Sequence, residues 1–141
     1  MNEKEFRFEA ITPERTVVSE DAEMLVVPAW NGELGVLKNH APLVAALRIG
    51  VMRITIGGQT RYCAISGGWI EVTESKVMVL ADTAELGAEI DVERAKRAKA
   101  RAEARLQSQQ DEVNVVRATM ALQRAISRLR AAEEEMEYRK F

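Results

Sequence analysis

One cysteine, one histidine and three prolines in 141 residues close off several chemistries before any motif is considered. A lone Cys63 cannot form an internal disulfide, so no framework of bridges is expected, and single-cysteine usage fits a reducing compartment. A lone His40 cannot supply the paired His/Cys spacing of a structural or catalytic metal centre. No stretch approaches the roughly 20 apolar residues that a membrane-spanning helix requires. The charged opening Met1-Asn2-Glu3-Lys4-Glu5 has no apolar centre, so a secretion signal is not expected. A formal net charge of −2 creates no strong field of either sign, which argues against nucleic acid or an anionic bilayer as direct partner. Any membrane association is therefore expected to be indirect.

What the chain does contain is unevenly spread. All eight glycines, all three prolines, both tryptophans and the cysteine lie at or before Gly87. Residues 1–87 carry 12 acidic and 8 basic side chains, whereas residues 88–141 carry 10 and 12. Two parts of opposite charge and different backbone chemistry are expected, 1–87 and 88–141, with Gly87 as a proposed hinge.

Before Gly87, short apolar runs are punctuated by turn residues. Phe6 and Phe8 alternate with Arg7 and Glu9, and Met24-Leu25-Val26-Val27 runs into a turn at Asn31-Gly32. Met52, Ile54 and Ile56 alternate with polar neighbours, Gly57-Gly58 reverses the chain into Arg61–Ile65, and Gly67-Gly68 breaks it again before Trp69–Val72 and Lys76–Ala81. Period two with β-branched residues and regular turn signals predicts an antiparallel β-sandwich or barrel.

After Gly87 the composition is that of helices. Asp91 is placed to cap a helix on which Ala95, Ala98, Ala102 and Leu106 share one face. The pattern weakens at Ser108-Gln109-Gln110-Asp111, and a second helix near Asp111 carries Val115, Ala118, Leu122, Ala125, Leu129, Ala132 and Met136 at heptad spacing. The predicted class is α+β: an N-terminal antiparallel sandwich followed by a C-terminal antiparallel two-helix hairpin. Because alanine buries little area, the hairpin's seam is thin. It is either a mobile pair of helices or one packed permanently on the sandwich.

No catalytic constellation is legible. His40 beside Pro42 would need Cys63 or Ser66 as nucleophile and a third, orienting group, and nothing in the spacing supplies them. No phosphate-binding glycine loop is present. The arginines form a better-defined set. Arg94 and Arg101 are seven apart on one helical face with Arg97 a turn from Arg101, and Arg124 and Arg128 are four apart on the second helix. Folded antiparallel, these groups converge, and guanidinium forks suit phosphate oxygens. The alternative is a solvated face balanced by Glu93, Glu103 and Glu133-Glu134-Glu135. The Arg-rich stretch Arg117–Arg130 also suits an acidic partner helix or groove.

Several segments, in this order, resemble the epsilon subunit of bacterial F-type ATP synthases nearly end to end. They are Thr12-Pro13, Gly32-Glu33-Leu34-Gly35-Val36-Leu37 followed by His40-Ala41-Pro42-Leu43, Ser66-Gly67-Gly68, Val79-Leu80-Ala81-Asp82 and Ile90-Asp91-Val92-Glu93-Arg94-Ala95. One departure is Lys38-Asn39, where the family usually has Pro-Gly. The resemblance implies a ten-stranded sandwich with a two-helix domain, a non-catalytic rotor subunit of the proton-translocating enzyme. Its implied partners are the gamma subunit, the ring of c subunits and, in an extended state, the alpha/beta catalytic head. Its implied place is peripheral, on the cytoplasmic face of the bacterial cell membrane.

The resemblance also implies roles for residues. Glu33 and His40 fall in loops that match the ring-facing edge. Arg117, Arg124, Arg128 and Arg130 of the last helix match basic residues that meet an acidic segment of the beta subunit when the extended helices inhibit ATP hydrolysis. Ile90-Asp91-x-x-Arg94-Ala95 matches the ATP-binding motif of relatives that hold ATP in the folded hairpin, and Glu85, Arg101, Arg124 and Arg128 match further ATP-site positions. ATP is then a regulatory ligand, bound and not hydrolysed, with the involvement of Mg²⁺ left open. A free-standing ATP-sensing adaptor or scaffold and a small enzyme using His40 are the competing expectations.

Overall fold

The computed structural model describes residues 2–108 and 111–139. Eight strands precede two helices: β1 Phe6–Ile11, β2 Thr16–Ala22, β3 Met24–Ala29, β4 Gly32–Val36, β5 Leu43–Ala46, β6 Gly50–Ile56, β7 Gln59–Val72, β8 Lys76–Leu86, α1 Val92–Ser108 and α2 Glu112–Arg139. A short 3-10 turn, Gly87–Glu89, joins β8 to the approach of α1.

The strands pair in the order β2-β1-β8-β7-β6-β3-β4, with β5 added on β7. Two long strands fold this path into a sandwich. The first half of β7 pairs with β6 and its last four residues pair with β5, while β8 follows it from Val77 to Leu86. Gly67-Gly68 therefore bends one continuous strand between the two sheets and does not break it. Gly67 and Gly68 have φ of 70° and 109°. A Cβ on Gly68 would lie 2.0 Å from the Leu80 carbonyl oxygen, so the bend requires glycine. The strands number eight among the described residues where the resemblance implied ten; β7 and β8 each serve both sheets. One pair departs from the antiparallel expectation: β1 lies parallel to β8.

Alternation then fixes the core. Phe6, Phe8 and Ala10 of β1 point inward beside Val77 and Val79 of β8, and Met52, Ile54, Cys63 and Ile65 fill the other sheet's inner face. The outward residues of β6 and β7, Val51, Tyr62 and Ala64, meet the hairpin instead. The hairpin is thus docked on the sandwich, an arrangement that both a releasable and a permanently packed pair of helices can take.

Both helices start at an aspartate. Asp91 Oδ1 accepts from the Arg94 amide at 3.0 Å, and Asp111 Oδ1 accepts from the Asn114 amide at 2.9 Å. Gln109 and Gln110, where the pattern weakens, lie outside the described residues, as do Lys140 and Phe141 of the expected second part. The seam is buried at Ala95, Ala102, Ala118, Ala125 and Ala132, but Val115 and Met136 at its ends are exposed. A second edge of α2, Ser127 and Ala131, is also buried and faces the sandwich.

Candidate functional site

The docked hairpin and the end of β8 enclose a cleft of about 530 Å³. Glu85 reaches it from β8, and Glu89, Ile90 and Asp91 reach it from the connection that follows. Arg94, Ala95, Ala98, Arg101, Ala102 and Arg105 line it from α1, and Ala121, Arg124 and Arg128 from α2. The expected set Glu85, Ile90, Asp91, Arg94, Ala95, Arg101, Arg124 and Arg128 is therefore brought together around one opening. Arg105 and Glu89 join it without having been singled out. Arg105 follows Arg101 by one helical turn, which is the signal that would have found it. Arg97 does not line the cleft.

The local chemistry divides these residues. Asp91 is committed to capping α1, and in doing so it fixes the turn that carries Arg94. Ile90 is buried among Val51, Ala64, Ala95 and Ala131, so it forms an apolar floor. Glu85 and Arg128 form an ion pair across the sandwich–hairpin junction, with Arg128 Nε 2.8 Å from Glu85 Oε1. Glu89 is paired from behind by Arg15 at 3.4 Å. Among the described residues, the side chains of Arg94, Arg101, Arg105 and Arg124 have no ion-pair or hydrogen-bond partner. Small alanines between them keep the opening wide. Guanidinium groups gathered this closely repel unless an anion neutralises them, and their planar forks match phosphate oxygens two at a time. The opening thus sets four unpartnered guanidinium groups beside the carboxylates of Glu85, Glu89 and Asp91 and the apolar surface of Ile90.

The remaining expected residues lie elsewhere. Arg117 is exposed on the first half of α2, and Arg130 is exposed and paired with Glu134 at 3.0 Å. Of the four arginines expected to meet a partner's acidic segment, only Arg124 and Arg128 line the cleft. Glu33 sits within β4, not in a loop, opposite Pro28 and 3.5 Å from Arg53. It is held there because Gly32 completes the turn and Glu33 already belongs to the returning strand. His40 lies in the 37–42 connection, where its Nδ1 is 2.7 Å from the Ala41 carbonyl oxygen. Asn39 stands where the family pattern has glycine and takes φ of 67°, the left-handed conformation that Asn reaches more readily than most residues.

His40 lines a second groove, of about 470 Å³, between residues 5–7, the 37–42 connection and residues 72–77. Cys63 is sealed inside the sandwich, where burial pushes its thiol up to about 12, and Ser66 Oγ is bonded to Thr83 Oγ1. These three groups share no site. Among the described residues no cluster of three or more His, Cys, Asp or Glu side chains is arranged to hold a metal. No helix among them is long and apolar enough to cross a membrane.

Comparison with known proteins adds a family. Residues 5–87 match the ATP synthase delta/epsilon chain β-sandwich domain, and residues 88–133 match the delta/epsilon chain long alpha-helix domain. The chain is similar to the ATP synthase epsilon chain of Desulforamulus reducens, with 52% identity over 76% of this chain and 81% of that one. It is 53% identical to the epsilon chain of Syntrophomonas wolfei over 80% of this chain and 83% of that one. Among solved structures, it resembles a chain in the OSCP/F1/c-ring assembly of the Euglena gracilis mitochondrial ATP synthase. The TM-score is 0.79 at 26% identity, covering 92% of this chain and 81% of that chain.

Proposed function

The chain belongs to the ATP synthase delta/epsilon family as an epsilon-type central-stalk subunit, and from that premise we propose that its helical hairpin is a nucleotide-gated regulatory arm. In this reading the subunit is non-catalytic. The sandwich joins the stalk to the ring, and the hairpin, when released, restrains ATP hydrolysis by reaching the catalytic head. ATP is a regulatory ligand that occupies the arginine cleft and keeps the hairpin folded.

The observation that carries this reading is the set of unpartnered arginines in a cleft that exists only while the hairpin is docked. Its walls come from Glu85 at the end of the sandwich, from Glu89, Ile90 and Asp91 of the connection, and from α1 and α2. A ligand that bridges them binds the docked form alone, and so shifts the population by its differential affinity. At a ligand concentration a hundredfold above Kd that shift is about 2.7 kcal/mol. Arg124 and Arg128 both line the cleft in the docked form and Arg128 is paired with Glu85, so a ligand held there competes with an acidic partner segment for the same two side chains. Arg117 and Arg130 remain exposed in the docked form and complete the partner-facing set on release.

Partner surfaces support the stalk role of the sandwich. Val44, Trp69 and Leu80 are exposed on the outer face of the β5-β7-β8 sheet, and Trp30 is exposed at the neighbouring β3–β4 turn. The hairpin packs on outward residues of β6 and the first half of β7 and leaves this surface uncovered, and we assign it to the gamma subunit. In this reading the groove at His40 and the strand that carries Glu33 face the c-ring, and the subunit sits peripherally at the cytoplasmic face of the membrane.

Calorimetry with ATP on the isolated chain tests the cleft. Saturable heat is expected for the native chain and at least tenfold weaker binding for Arg94→Ala; equal binding by both would leave the arginines as a solvated face. Removing residues 88–141 is expected to leave assembly with the stalk intact and to raise ATP hydrolysis by the complex. Unchanged hydrolysis would remove the inhibitory role.

A further inference from the structure

Gly87 sits at the junction of the two parts, and its backbone is not the reason for its identity. It is absent from the residues with positive φ, a region that Gly32, Gly57, Gly58, Gly67 and Gly68 all enter. It is instead buried at the start of the Gly87–Glu89 turn, directly beneath α2. A Cβ at this position would lie 2.5 Å from the Ala131 carbonyl oxygen and 2.9 Å from the Glu135 Cβ. The first of these is backbone within a long helix, which no rotamer change can move aside. α2 therefore approaches the sandwich backbone to backbone at Gly87.

One turn earlier on α2 a second contact of the same kind occurs. Ser127 Oγ donates to the Gly50 carbonyl oxygen at 2.7 Å. Val51, Ala64 and Ala131 close the space between these two points. The seat is specified by close fit more than by large apolar side chains. It also sets the cleft, because Glu85 and Glu89 lie two residues either side of Gly87, while Arg124 and Arg128 flank Ser127. A shift of α2 away from Gly87 separates the Glu85–Arg128 pair and pulls the two walls of the cleft apart.

We propose that Gly87 is a steric gauge for a release clutch: its missing side chain is what lets the hairpin seat, and anything that fills that gap frees both helices together while the sandwich stays folded. The docked and released states are then separated by a seat that fits fully or not at all. The expected hinge at Gly87 becomes a docking point. The nucleotide part of the test rests on the function proposed above; the structural part does not.

Hydrogen–deuterium exchange on the full chain tests the proposal. Gly87→Ala is compared with Gly35→Ala, where an added Cβ meets nothing within 4 Å and φ is not positive. Ala131→Leu fills the same seat from the helix side without altering any strand. In Gly87→Ala and Ala131→Leu, amides of α1 and α2 are expected to exchange at least tenfold faster, with the amides of β1, β3, β6 and β7 unchanged; Gly35→Ala is expected to match the parent. Helix exchange in Gly87→Ala equal to the parent overturns the proposal, and so does an equal acceleration in the strands. ATP titration, followed by calorimetry, separates the two claims. If exchange shifts as expected but the parent binds no ATP, the seat stands and the nucleotide reading fails. If the parent binds ATP and Gly87→Ala binds it equally with helix exchange unshifted, the seat fails and the nucleotide reading stands.

Discussion

The sandwich and the hairpin seat bury apolar surface with different materials. Inside the sandwich, Phe8, Leu25, Met52, Ile54, Ile65 and Ile70 are all fully buried, and they interlock across two sheets. In the seat, the buried residues are Val51, Ala64, Ile90, Ala95, Ala131 and Ala132. Each buried methylene contributes about 0.8 kcal/mol, so an alanine contributes far less than the leucine or phenylalanine that a permanent interface would use. The two regions share one chain but not one stability. A seat that opens at lower cost than the sandwich unfolds is what the regulated arm proposed above would require.

The largest expected effect attacks the sandwich side of this contrast. Phe8→Ala removes a fully buried ring and is expected to cost about 3–5 kcal/mol, read as a lower denaturant midpoint for the whole chain. The loss should appear in strand and helix signals alike, since the seat is built on β6 and β7. If the strands melt at an unchanged midpoint, the asymmetry between the two clusters is not real. A smaller effect, confined to the hairpin, is expected from Ser127→Ala. It deletes the hydrogen bond to the Gly50 carbonyl at nearly constant volume and should weaken docking by about 1 kcal/mol. Faster exchange in α1 and α2 alone is the expected readout; a lowered strand midpoint would mean that seat and sandwich unfold as one unit.

Legibility in the sequence followed the same division. Strands with strict alternation, such as Phe6–Glu9 and Met52–Ile56, could be read directly, and so could the Gly57-Gly58 reversal and the aspartate cap of α1. β2, β4 and β5 were not legible. Thr16–Ala22 mixes polar residues into its run, Gly32–Val36 carries two glycines, and Leu43–Ala46 is four residues long, so pairing partners and not intrinsic pattern make them strands. Gly67-Gly68 misled because glycine pairs punctuate chains more often than they bend a strand between sheets. In the cleft, the arginines were findable because helical spacing is local. The Glu85–Arg128 pair brings together residues 43 apart, and its placement in the cleft came from the family resemblance and not from spacing. The seat was hidden for the same reason. Ser127 and Ala131 look like the ordinary flank of an alanine-rich helix until Gly50 and Gly87 are known to lie opposite.

The smallest expected effect is that of the hairpin on Cys63. Cys63 is on β7 beside Ala64, but alternation turns it into the sandwich while Ala64 faces the seat. Burial pushes its thiol from 9.0 up to about 12, so the folded chain keeps the proton that an unfolded chain releases. This contribution to stability is fully present below about pH 9 and is lost as pH rises from there towards 12. Its slope is at most about 1.4 kcal/mol per pH unit for a single proton. Denaturant titrations of the native chain and Cys63→Ala between pH 8 and about 10.5 should diverge with that sign, the native chain losing stability faster. Repeating the pair on a Gly87→Ala background sharpens the comparison. With the helices released and the sandwich intact, the divergence should be nearly unchanged. Burial in the core with Met52, Ile54 and Ile65 is the largest cause of the shift, and Glu85, Arg15 and Glu89 at the junction act on the thiol more weakly. A divergence that shrinks on this background would show that the hairpin helps to seal the sandwich, and the two clusters would then have to be treated as one core.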